Sequence, residues 1–162
     1  MKRLHLLALC LVGCAAAAPP EVEITDLAQG LMREESGGWR VYERGETFAY
    51  RNNGKCTAAG EKRDNCMWFG FEFNYKATAK RTTLTCVAKL SSPTDLVTNK
   101  SEESKNTQEA TFELTLTGHS GHMANPGFIT IDPGESPEQS TRVECSHAGK
   151  VVLRYAFNIH GV

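Results

Sequence analysis

The densest run of side chains able to do chemistry is Gly118-His119-Ser120-Gly121-His122-Met123. Two imidazoles three residues apart, beside a thioether, suit a soft or borderline cation, and copper or zinc is the metal such a set would take. Three local ligands leave the coordination short and no carboxylate is close in sequence, so His147 or His160 would have to arrive through the fold. Ser120 sits among small residues, as a loop nucleophile does, but the surroundings lack the strand-to-helix elbow that presents a catalytic serine. The glutamates alternate outward along apolar stretches, no acid–base pair stands out, and there is no Gly-rich phosphate cradle. A non-enzymatic protein without a cofactor is therefore expected. A metal site at His119, His122 and Met123 is one alternative, and an envelope enzyme of unrecognised type is another.

The remaining reactive groups are six cysteines. Cys14 follows Leu11-Val12-Gly13 at the end of an apolar run over residues 4–12 that begins with Lys2 and Arg3. This is signal-peptide architecture, too short for a permanent membrane span. Leu11-Val12-Gly13-Cys14 resembles the lipobox of bacterial lipoproteins. That resemblance implies a diacylated Cys14, cleavage just before it, and a lipid anchor; Ala15-Ala16 without an aspartate implies the periplasmic face of the outer membrane. Residues 1–13 are then the signal peptide, 14–20 the lipidated cysteine and a tether stiffened by Pro19-Pro20, and 21–162 the folded domain. An ordinary secretory leader cut after Ala18, releasing a soluble periplasmic or secreted protein, is the alternative. Either cleavage leaves Cys56, Cys66, Cys86 and Cys145, an even set in an oxidising compartment. Cys56 and Cys66 flank a polar loop, while Cys86 and Cys145 fall on inward faces of patterned strands. The expected pairing is Cys56 with Cys66 and Cys86 with Cys145, the latter across the core.

The elements that must position these groups read as strands. In residues 68–76, Phe69, Phe71, Phe73 and Tyr75 point one way, and Trp68, Gly70, Glu72, Asn74 and Lys76 the other, so this is the core strand. Leu84, Cys86, Ala88 and Leu90 line a second inward face, followed by Phe112, Leu114 and Leu116, then Val143 and Cys145, then Val151, Leu153, Tyr155, Phe157 and Ile159. Residues 91–108 and 118–127 read as loops, residues 51–66 as a polar loop closed by a disulfide, and Asp132-Pro133-Gly134 as a turn. Residues 26–32 fit either a strand or one helical turn. Eight to nine strands and spaced turns make an all-β, two-sheet immunoglobulin-like sandwich with two disulfides the economical architecture. Ile24-Thr25-Asp26, Phe69-Gly70-Phe71-Glu72-Phe73 and Tyr155-Ala156-Phe157-Asn158-Ile159 are similar to a family of bacterial immunoglobulin-like domains without assigned function. That likeness implies the fold and no activity.

Charge narrows the partners. Eighteen Lys and Arg against nineteen Asp and Glu give a formal net charge of −1, and the basic residues are scattered, so nucleic acid is excluded as a partner. The expected function is an outer-membrane-tethered, non-enzymatic interaction module. It holds the membrane by its lipid and uses loops or a sheet edge to bind another envelope protein or a polysaccharide, as an inhibitor or assembly partner.

Overall fold

The computed structural model describes residues 21–58, 60–97, 103–130 and 138–161. Cys14, the leader, the 15–20 tether, Asn99-Lys100-Ser101 (a glycosylation-type triplet) and the turn at Asp132-Pro133-Gly134 lie outside the described residues. Ten strands and no helix occur among the described residues: β1 (Val22–Glu35), β2 (Gly38–Arg44), β3 (Thr47–Ala49), β4 (Gly54–Ala58), β5 (Glu61–Ala77), β6 (Arg81–Val97), β7 (Glu103–Thr117), β8 (Ser120–Thr130), β9 (Glu138–His147) and β10 (Lys150–His160). They form two five-stranded sheets. The first runs β2-β1-β5-β4 with β8 also on β5, and the second runs β3-β10-β9-β6-β7. Cys66 of β5 pairs with Gly54 of β4 and with Thr130 of β8, so β8 lies along one side of β5 while β1 and then β4 share the other.

The aromatic stripe of β5 organises the interior. Phe71 and Phe73 are fully buried and Tyr75 nearly so, packed with Leu84, Leu114, Leu116, Val143 and Leu153 of the opposing sheet. A second cluster of Leu31, Phe48, Met67, Phe157 and Ile159 fills the other end. Alternating side chains on two facing sheets bury one face of each, the ordinary way a sandwich encloses its core. Tyr155 packs against Phe71, with ring centroids 4.2 Å apart, and burial pushes its phenol well above the usual tyrosine range.

Three expectations need correction, and one open choice, at residues 26–32, is settled. Residues 118–127 are not a loop: Ser120–Thr130 pairs residue for residue with β5. Being at a sheet edge, this strand tolerates Pro126, which has no N–H to donate. Much of 91–108 is likewise strand, with β6 and β7 pairing out to Val97 and Glu103 through two register shifts. Backbone ladder bonds between two strands do not require apolar side chains, which is why the polar composition misleads. Residues 26–32 are strand, interrupted by a bulge at which Asp26 takes a positive φ of 54°. The 51–66 segment contains β4 and the start of β5 rather than a loop closed by its disulfide alone.

Both disulfides form, Cys56 with Cys66 and Cys86 with Cys145. The second does not cross the core. Cys86 and Cys145 are direct partners on the adjacent strands β6 and β9, so the bond staples two neighbours within one sheet. Alternation had placed both side chains inward, and both are fully buried there.

Candidate functional site

The hairpin of β1 and β2 builds the most chemically varied surface of the domain. Among the described residues β2 hydrogen-bonds laterally to β1 alone, yet it also touches β5 and β8. The hairpin therefore leans over the outer face of β5, the face turned away from the second sheet. Gly30 and Gly70 are direct cross-strand partners at the point where this happens, and Gly70 also faces Pro126 of β8. A Cβ on Gly70 would stand 2.6 Å from Met32 Sδ, so the missing side chain is the space that the fully buried Met32 occupies.

Past Met32 the hairpin delivers Trp39 onto Trp68, with ring centroids 4.4 Å apart, and Trp68 meets Phe128 of β8 at 4.9 Å. Asn53 fixes Trp68 from the side: it accepts the Trp68 N–H at 2.6 Å and donates to the Trp68 carbonyl at 3.0 Å and to the Tyr42 hydroxyl at 3.2 Å. Trp68 Nε1–H donates to the Lys55 carbonyl at 3.0 Å. A Cβ on Gly54 would lie 2.9 Å from the indole, so that glycine permits its close seating. Arg33 lies over the half-exposed Tyr42 ring, 5.3 Å from its centre.

Beside the aromatic group, three charged or titratable side chains converge from three strands. Arg40 Nη1 donates to Glu72 Oε2 at 3.3 Å and lies 2.7 Å from His122 Nε2, which is itself 3.1 Å from the same Glu72 oxygen. The Glu72 side chain is 15% exposed, against 32% for His122 and 42% for Arg40, so the carboxylate forms the floor of the group. Further along the same face Asn74 donates to Asp26 Oδ2 at 2.9 Å. The whole strip thus combines partly exposed rings with a guanidinium, an imidazole, a carboxylate and an amide. Such a surface can stack, donate and accept, but it presents no nucleophile.

The metal ligands of the alternative reading do not come together. Met123 pairs with Phe73 and packs on the core, whereas His122 pairs with Asn74 on the outer face, because neighbours on a strand point opposite ways. His119 sits in the turn before β8 with Nδ1 3.1 Å from the Ala77 carbonyl. His147 is held at the same pole of the sandwich with Nδ1 3.0 Å from the Thr83 carbonyl, while His160 ends β10 at the opposite pole, its carbonyl accepting the Tyr50 N–H. Among the described residues no group of three or more His, Cys, Asp or Glu side chains is placed to hold a metal ion. Copper or zinc therefore has no ligand set at His119, His122 and Met123. A shallow recess lined by Glu21, Glu23, Lys76, Ala77 and Thr78 is the setting of the Lys76–Glu23 ion pair at 3.9 Å and gathers no acid–base pair with a histidine.

Sequence reasoning reached Trp68 and His122 but not Trp39, Arg40 or Glu72 as their partners. The available signal was Glu72 on the outward side of the most apolar strand. Its meaning depends on which strands lie beside it.

No family model and no curated protein matches this chain. Among solved structures it is similar to an immunoglobulin-like protein from Pseudomonas aeruginosa, with 16% sequence identity, 86% of this chain and 96% of that chain covered, and a TM-score of 0.44.

Proposed function

We propose that this protein is an exported lipoprotein, anchored through Cys14 at the periplasmic face of the outer membrane, whose sandwich is a non-enzymatic binding module. Its contact surface is the outer face of the β5 sheet, and its partner is an envelope protein or polysaccharide. The observation that carries this reading is the convergence of Trp39, Trp68 and Phe128 with Arg40, Glu72 and His122 on a face against which, among the described residues, no other sheet packs. Aromatic residues and arginine contribute disproportionately to binding surfaces, because each covers much area at little entropy cost or donates in a fixed fork. The leader pattern and two disulfides both suit an exported, oxidising setting.

Two experiments test the two halves of this reading. Metabolic labelling with a fatty acid should tag the wild-type protein and leave Cys14→Ser unlabelled; label retained in that variant would refute the anchor. For the binding face, affinity capture from envelope extracts with Trp39→Ala or Arg40→Ala should recover the specific partner at about one-tenth of the wild-type yield or less, the loss expected of a central interface residue. Glu113→Ala, exposed on β7 of the other sheet, should capture it normally. Equal recovery by all variants, or hydrolytic turnover by the purified protein that one substitution abolishes, would overturn the proposal.

A further inference from the structure

We infer that His122 is a proton-operated latch for the β1–β2 hairpin. It regulates the binding face proposed above and rests on that reading only for its consequence, since the latch itself needs no partner.

A single ring nitrogen faces a donor and an acceptor at once. His122 Nε2 lies 2.7 Å from Arg40 Nη1 and 3.1 Å from Glu72 Oε2. Arginine only donates and a carboxylate only accepts. Nε2 can satisfy the guanidinium only as a bare lone pair, with the ring neutral and its proton on Nδ1. It can satisfy Glu72 only as N–H. The two contacts are therefore mutually exclusive: the neutral Nδ1–H tautomer serves Arg40, the neutral Nε2–H tautomer serves Glu72, and a protonated ring has no lone pair left for Arg40.

With the ring neutral and its proton on Nδ1, Arg40 donates to both His122 and Glu72 and ties the hairpin to β8 and β5 together. Once the ring is protonated, Nε2–H donates to Glu72 and two positive groups face each other across the former contact. Arg40 then loses one acceptor and shares the other with a competing cation.

The surrounding charges do not remove this conflict. From β5, Glu72 and Lys76 flank His122 on either side of Asn74, the residue it pairs with. From β1, Asp26 is engaged by Asn74 and Glu23 lies by Lys76. Arg40 is the charge contributed by β2. β7 runs into β8 through Thr117, Gly118 and His119, whose Nδ1 lies at the Ala77 carbonyl. Among the described residues Glu72 is thus the one carboxylate bonded to the imidazole, and Arg40 the one cation bonded to both.

The hairpin can respond at its Arg40 end because its other ties lie elsewhere along it. β2 has no lateral strand other than β1 among the described residues; Trp39 sits on Trp68, while Tyr42 at Asn53, Glu43 at Arg51 and Met32 beneath the hairpin hold its far end. Acidification should release the Arg40 end first and open the edge of the aromatic group.

Amide hydrogen exchange of the full-length exported protein reads this directly. Protection of residues 38–44, corrected for intrinsic exchange, should fall about tenfold or more between about pH 8 and about pH 5, the range over which imidazoles take up a proton. Residues 150–160 of β10 should stay protected and certify the fold. In His122→Gln, whose side-chain oxygen accepts from Arg40 without titrating, the protection of 38–44 should not change with pH. Equal wild-type protection at both pH values would overturn the latch, and so would a pH response that survives in His122→Gln. Neither result bears on whether the face binds a partner, which the capture experiment decides separately.

Discussion

Gly70→Ala is expected to destabilise the domain by about 3 kcal/mol, with the loss appearing as a lower urea midpoint at unchanged slope. The added Cβ would stand 2.2 Å from the Asn125 carbonyl oxygen and 2.6 Å from Met32 Sδ. Met32 could swing aside, at the cost of disturbing a fully buried side chain. The Asn125 oxygen belongs to the backbone of β8, which is in register with β5 over eleven residue pairs, so it cannot yield locally. The backbone adds to the penalty, because φ at Gly70 is +157°, at the edge of the region that side chains avoid. Overpacking and an unfavourable backbone each cost about 1–3 kcal/mol, and here they coincide. Gly37→Ala is the matched control: nothing lies within 4 Å of its Cβ position, and a change within about 0.5 kcal/mol is expected. Should Gly70→Ala unfold with the wild-type midpoint, the close seating of the hairpin on β5 would be wrong, and with it the geometry of the binding face.

That seating also marks the boundary of what the chain discloses as a string. The stripe of Phe71, Phe73 and Tyr75 was legible because burial against an opposing sheet imposes a period of two on the residues themselves. The same rule placed Cys86, Cys145, Leu84 and Val143 on inward faces. Alternation assigns a face, however, and says nothing about which strand lies alongside. The Cys86–Cys145 bond was therefore expected between layers, whereas the register β6-β9 makes it a staple within one. The first eight residues of β8, 120–127, were invisible for the complementary reason. Ser-Gly-His-Met-Ala-Asn-Pro-Gly carries no apolar period and several turn formers, and it is a strand only because β5 offers an open edge to pair with. His122 and Met123 consequently looked like partners in a loop, while the strand sends them to opposite faces. The Arg40–Glu72–His122 group was hidden most completely, since it is assembled from three strands and from a hairpin that leans over its own sheet.

The within-sheet position of the second disulfide changes what its removal should do. Replacing Cys86 and Cys145 together by alanine is expected to cost about 4 kcal/mol on the loop-entropy account, from a closed segment of 59 residues' separation. Both sulfurs are fully buried, so lost packing adds to that figure. A domain with a total margin of about 5–15 kcal/mol would lose a large part of it, and a melting midpoint lower by at least about 10 °C is the expected reading. Cys56→Ala with Cys66→Ala closes a separation of only 10 residues and should cost less, about 3 kcal/mol. The two losses also differ in place. Cys86 and Cys145 join β6 to β9 in the middle of the second sheet, which faces Phe71 and Phe73, so that variant should lose protection throughout the core. Cys56 and Cys66 join β4 to β5 beside Asn53 and Gly54, the residues that seat Trp68, so the shorter bond guards the aromatic end of the binding face. Thermal unfolding combined with hydrogen exchange on both double variants separates these effects. A Cys56–Cys66 deletion that damaged the core more than the face would contradict the assignment. A Cys86–Cys145 deletion without thermal cost would mean that the β6-β9 ladder already holds the denatured chain as tightly as the covalent bond does.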